Sequence, residues 1–214
     1  MRPQTITVGT IRTALQRPLP ARAVQQTMAV RPRPGDRPDL PDPCPHEGAV
    51  LLLIYRRHGN LVLPLTHRTD KLQMHRGQIS LPGGAREPWD TDFRQTALRE
   101  TCEELGIPER AIEILGRLTP LFIPVSSFCV YPYVGYMSRA RALRPDPNEV
   151  AEAIEVPVER LLAPATRRVE IHFRDNRRFE VPAYRVGRHR IWGATAMILA
   201  EFVALLRTVS AAPR

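Results

Sequence analysis

Leu81–Ile107, LPGGAREPWDTDFRQTALRETCEELGI, is the stretch whose reading decides this fold. Its second half predicts a helix over Asp92–Leu105. Thr91 or Asp92 can cap that helix, Gly106 stops it, and Pro108 follows. Glu100, Glu103 and Glu104 are spaced i, i+3 and i+4, so they share one helical face. Like charges at that spacing repel by ~0.2–0.5 kcal/mol per pair. They also sit in the last turns, where the helix dipole disfavours negative charge by ~0.3–1 kcal/mol each. Two local stability rules are broken together, as happens where residues are kept for function. A divalent cation with oxygen ligands would relieve both penalties. For three glutamates alone a solvated acidic face is the commoner outcome, but their neighbours favour a metal site. Pro82-Gly83-Gly84 allows close backbone approach, and Arg99 is placed to orient Glu100.

Outward from this stretch, Ala49–Tyr55 is a continuous apolar run and predicts a buried strand. Gly59-Asn60 marks a turn into a second strand, Leu61–Thr66. Gln78–Leu81 predicts a short extended piece ended by Pro82-Gly83-Gly84. Ile112–Leu118 and Phe128–Met137 predict strands, and Val158–Leu162 a helical turn. Val169–Phe173 and Phe179–Tyr184 predict a hairpin around Arg174–Arg178, and Ala194–Arg207 an apolar C-terminal helix. Strands and helices mix without regular βα alternation, which points to an α+β or mixed-sheet sandwich.

The chain has 214 residues, enough for one domain with appendages. Hydrophobic residues make up 43% and charged residues 25%, which excludes disorder throughout. No apolar run approaches the ~20 residues of a membrane span, and the start carries no secretory leader. Nine of the 22 prolines lie in residues 1–46, which predicts an extended arm or linker with a short helix at Thr5–Leu15. Cys44, Cys102 and Cys129 are odd in number and widely spaced, so neither a disulfide framework nor a zinc site is expected, and a reducing cytoplasm is the expected compartment. The net charge of +9 comes from 30 arginines and the single lysine, Lys71. That excess suits an anionic partner (nucleic acid, nucleotide or membrane surface), with genome composition as the alternative. Scattered arginines and only 6% aromatic residues argue against an RNA surface.

The segment closely resembles the Nudix box, G-x5-E-x7-R-E-U-x-E-E-x-G-U with U apolar. Gly84, Arg99-Glu100, Glu103-Glu104 and Gly106-Ile107 match it. It departs in two places: Asp90 stands for the first glutamate and is separated from Arg99 by eight residues rather than seven, and Thr101 stands at the first U. The longer form with aspartate is similar to the coenzyme A pyrophosphatase branch, which Glu87-Pro88, Asp92 and Thr96-Ala97-Leu98 also fit. Thr66, Arg68, Gly77 and Pro82-Gly83-Gly84 match that branch's upstream motif, with departures at Thr69, Gln73 and Leu81. Asn148-Glu149-Val150, Glu155-Val156-Pro157 and Ile191–Ala196 resemble its later segments.

The resemblance implies an α+β fold, a Nudix-like α/β/α sandwich with a mixed β-sheet over residues 47–208, between an arm (1–46) and a tail (209–214). It implies cleavage of a nucleoside-linked diphosphate with Mg²⁺ or Mn²⁺ held by Gly84, Glu100, Glu103 and Glu104. Arg99 would hold Glu100, and Glu149, ahead of Glu152, would be the general base. Arg68, Arg76 and Gln78 would contact substrate. The expected reaction splits coenzyme A or an acyl-CoA into 3′,5′-ADP and 4′-phosphopantetheine or its acyl form. The alternatives are another nucleoside diphosphate derivative (ADP-ribose, NADH, a nucleoside triphosphate) or a catalytically weak nucleotide- or RNA-binding module. A nucleotide of the coenzyme A class is the expected partner, with a homodimer as a candidate assembly and neither membrane nor nucleic acid expected.

Overall fold

The computed structural model describes residues 6–33, 35, 39–69 and 78–210. Strand β1 (His46–Arg57) contains the apolar run, and Leu51 to Tyr55 are fully buried. Alternation along the strand explains why. Ala49, Leu51, Leu53 and Tyr55 pack on one face with Ala97, Leu98 and Leu105. Leu52 and Ile54 pack on the other with Met197, Phe202 and Leu206. The strand is therefore the middle layer of a sandwich.

β1 turns at His58-Gly59 into β2 (Asn60–Arg68), which continues to β3 (Ile79–Ser80) and β4 (Gly83–Ala85). Helix α3 was expected from Asp92, and runs Phe93–Leu105 with α1 (Val8–Leu15) and α2 (Ala21–Gln25) before it in the chain. The Asp92 carboxylate accepts the Gln95 amide at 2.8 Å, and Gly106 closes the helix in the left-handed region, φ 66°. β5 (Glu113–Arg117), β6 (Leu121–Ile123), β7 (Phe128–Met137) and β8 (Val150–Pro157) complete an eight-stranded sheet. The order β3-β2-β1-β7-β5 is its spine, with β4 on β1, β6 on β7 and β8 on β2. β1 and β7 run parallel from His46↔Phe128 to Tyr55↔Met137, and the other pairs are antiparallel, so the sheet is mixed as expected. After α4 (Val158–Leu162) come β9 (Arg167–Arg174), β10 (Arg177–Val186) and β11 (His189–Trp192), a second sheet of three antiparallel strands. Helix α5 (Gly193–Ser210) closes the chain's described part.

Three expectations are corrected. Gly83–Ala85 is a strand rather than a plain turn, because Val50↔Gly83 pairing brings β1 backbone where a side chain on Gly83 would obstruct it. The segment before β1 is not simply extended: after Pro20 it forms α2 and a 3₁₀ turn, Gln26–Met28. Ile11, Ala14 and Met28 from this region are buried in the same core as α5. Finally, Cys44 and Cys129 form a disulfide. Their separation of 85 residues hides it in the sequence, whereas the parallel register sets Glu47 beside Cys129. No helix among the described residues is long and apolar enough to cross a membrane.

Candidate active site

The box residues converge where α3 passes β4, but the three glutamates meet different environments. Glu104 is 2% exposed, while the Glu103 side chain is 57% exposed and Glu100 lies between, at 15%. One helical face thus runs from solvent into the core. Burial pushes the Glu104 carboxyl up to about 8, and the nearby Glu100 and Glu149 charges add to this. Arg68 and the Gly83 backbone amide pull the other way. The Arg68 guanidinium stands 3.8 Å from one Glu104 oxygen; the other, Oε2, is buried without a hydrogen-bond partner. Glu100 is also raised, chiefly by burial.

A residue given no role by the sequence organises the outer half. Asp90 is 3% exposed and accepts from the Glu87 amide (3.0 Å), the Thr96 hydroxyl (2.9 Å) and Arg99 Nε and Nη2 (both 3.0 Å). Arg99, first of these in effect, holds the Asp90 carboxyl down at about 2. Arg99 in turn donates from Nη1 to Glu100 and Glu103, at 2.8 Å each, and from Nη2 to the Ala85 carbonyl at 3.0 Å. So the aspartate in place of the box glutamate clamps the arginine by a two-pronged ion pair. Its only advance signal was its place in the motif.

Gly84 lies against Glu100: a Cβ there would be 2.4 Å from Glu100 Oε2. The absence of a side chain makes room for the carboxylate. Glu149 influences both Glu100 and Glu104, and its carbonyl accepts the Thr69 amide at 3.0 Å. Glu152 is instead bound by Arg188 through both oxygens, at 2.8 and 3.0 Å. Gln78 and Arg68 share a cavity of 180 Å³ with Ser80, Leu81, Trp192 and Thr195. Arg76 lies outside the described residues, as does Gln73. Of the other two departures from the branch motif, Leu81 is buried in the core and Thr69 supports the Asn148–Glu149 turn.

The residues fit a divalent cation. An orphaned buried carboxylate oxygen on Glu104, the half-buried Glu100, and a glycine cradle form a hard-oxygen donor set. As placed, no three His, Cys, Asp or Glu side chains converge on one point among the described residues. Arg99 holds Glu100 through Oε1 and Glu103 through Oε2, at 2.8 Å each, so an ion would take the other oxygen of each carboxylate.

Helix-borne glutamates beside arginines, on a mixed sheet between helix layers, define a class: a hydrolase fold suited to charged phosphoryl substrates. Residues 45–175 match the NUDIX domain, and the chain belongs to the Nudix family. It is 34% identical over 160 residues to the uncharacterized Nudix hydrolase NudL of Photorhabdus laumondii, covering 75% of this chain and 84% of that protein. It is 34% identical over 173 residues to the mitochondrial coenzyme A diphosphatase NUDT8 of Homo sapiens, covering 79% of this chain and 73% of that protein. In fold it resembles the Nudix hydrolase RenU from M. smegmatis, with a TM-score of 0.50 at 18% identity over 79% of this chain and 88% of that one.

Proposed function

We propose that the protein is a divalent-metal-dependent pyrophosphohydrolase that cleaves the diphosphate of coenzyme A or an acyl-CoA. The products are 3′,5′-ADP and 4′-phosphopantetheine or its acyl form. The observation that carries the metal chemistry is the buried Glu104 carboxylate with an unpartnered oxygen, next to Glu100 and Arg68. The substrate rests on likeness to the coenzyme A diphosphatase of Homo sapiens over most of both chains.

Glu100, Glu103, Glu104 and the Gly84 carbonyl would hold Mg²⁺ or Mn²⁺. A bound ion of this kind neutralises phosphoryl oxygens and lowers the pKa of a coordinated water. Arg99 positions Glu100, and Asp90 positions Arg99. Arg68 offers its planar fork to a phosphate at the mouth of the 180 Å³ cavity. Gln78, Trp192 and Thr195 line that cavity, where part of the organic moiety would lodge. Arg76 completes the proposed substrate contacts. Glu149 takes the proton from the attacking water; Glu152, engaged by Arg188, is the poorer base. The proposed compartment is the cytoplasm, where Cys44 and Cys129 would be largely reduced.

The test is product analysis by mass on coenzyme A, ADP-ribose, NADH and dGTP, each with Mg²⁺ or Mn²⁺. We expect 3′,5′-ADP and 4′-phosphopantetheine from coenzyme A, and at least about a hundredfold loss in Glu104→Gln. If coenzyme A survives while another diphosphate is cut, the substrate assignment fails and the metal site stands. Full activity in Glu104→Gln removes the metal assignment.

A further inference from the structure

The hairpin β9–β10 has a surface that the active site does not use. Among the described residues, large hydrophobic side chains are exposed at Trp89, Val125, Val169, Ile171 and Phe173. Three of these five alternate along β9, at 57%, 45% and 74% exposure, so they form one stripe on one face. The stripe is ~13 Å long at ~3.3 Å per residue. It starts beside the Asp175-Asn176 turn, where both residues have positive φ as a tight hairpin turn demands. At its other end Val169 opens onto a groove of 730 Å³ lined by Leu161, Leu162, Tyr184 and Val203.

The three-stranded sheet formed by this hairpin and β11 concentrates the chain's charge. Residues 167–190 contain eight arginines and three acids, so more than half of the net +9 lies in 24 residues. Each acid is already answered: Glu170 by Arg190 at 2.7 Å, Glu180 by Arg178 at 3.0 Å, and Asp175 by Arg174 at 3.7 Å. On the stripe's own face, the register places Arg178 beside Phe173 and Glu180 beside Ile171.

We propose that this hairpin docks on an anionic lipid bilayer, with Val169, Ile171 and Phe173 entering the interface and Arg178, with Arg174 and Arg177 beside the turn, binding headgroup phosphates. Apolar insertion combined with several basic residues is what reversible surface binding requires. The absence of a spanning segment, behind the expectation of no membrane partner, does not bear on a surface contact. Aliphatic Val169 and Ile171 offer no stacking platform for bases, which disfavours RNA. A two-fold pairing of β9 edges centred on Glu170 and Ile171 would set Arg167 opposite Arg174 of the second copy, and like charges directly opposite destabilise a sheet.

The experiment is co-sedimentation of the full chain with vesicles of phosphatidylcholine alone and with about one third phosphatidylglycerol. Binding should occur on the anionic vesicles, fall with added salt, and be absent on the neutral ones. Ile171→Asp/Phe173→Asp should weaken it at least about tenfold. Arg177→Glu/Arg178→Glu should weaken it comparably. Both pairs are exposed, so thermal unfolding and turnover of soluble substrate should be unchanged, which separates docking from folding and from the proposed reaction. No binding to anionic vesicles overturns the proposal. So does binding that survives Ile171→Asp/Phe173→Asp, or a stripe whose loss abolishes only RNA binding or self-association.

Discussion

At the scale of single residues, two buried carboxylates have opposite titration behaviour. Asp90 sits well below its ordinary value of 3.8, at about 2, because Arg99 bonds its charged form. Its contribution to stability is full above pH 3.8 and is lost as pH falls through about 2. Asp90→Asn removes one partner of a buried pair, and should cost about 3 kcal/mol, read by denaturant unfolding at neutral pH. The same variant should lower turnover by at least about tenfold, because Arg99 then no longer fixes Glu100. Glu104 is the reverse case, raised from 4.5 to about 8 by burial. The metal-free fold keeps a proton there that the unfolded chain releases, so this stabilisation is full below pH 4.5 and is lost as pH rises through about 8. A cation must displace that proton. Mn²⁺ affinity, measured by calorimetry on wild type and Glu104→Gln, should therefore rise from about pH 6.5 to 8.5 in wild type alone.

At the scale of elements, β4 and α3 form the site together, and Gly84 is their point of contact. Gly84→Ala places a methyl 2.4 Å from Glu100 Oε2, so the carboxylate must swing away. We expect at least about a tenfold loss in kcat/KM with under about 1 kcal/mol lost in stability, since the exposed rim can yield. Elements with strong periodicity or terminators were legible in the sequence: β1 by its apolar run, α3 by Asp92 and Gly106, the β9–β10 hairpin by its turn residues. β8 was not, because its Ala-Glu-Ala interior lacks strand-forming side chains and takes its shape from pairing with β2. β4 was hidden because two glycines carry no pattern, although bare backbone is what its pairing with β1 needs. Within the site, helical spacing disclosed Glu100, Glu103 and Glu104 but not their graded burial, which depends on how α3 tilts over the sheet. The Asp90 clamp and the Cys44–Cys129 bond depend on loop closure and parallel pairing, which local pattern does not express.

At the scale of the molecule, the two ends of the described chain close on each other. Glu201 of α5 is fully buried and accepts from Gln25 at 2.9 Å and from the Thr119 amide and hydroxyl at 3.1 and 2.5 Å. Arg17 donates to the Thr208 carbonyl at 2.7 Å, across 191 residues. The segment called an arm is thus a wall of the core. Gln25→Ala leaves a buried carboxylate short of a donor and should cost about 1–3 kcal/mol. Removing residues 1–30 should give a chain that fails to show a cooperative thermal transition. The late position of α5 also has a consequence for biosynthesis. The sheet face carrying Leu52, Ile54 and Val134 is translated long before Phe202 and Leu206 can cover it. At ~5–20 residues per second, the interval from Pro157, the end of that sheet's last strand, to Leu206 lasts roughly 2–10 s. For those seconds the ribosome presents a finished sheet whose oily side has only Ile11, Ala14 and Met28 to cover it, which makes the nascent chain a natural client for a holding chaperone.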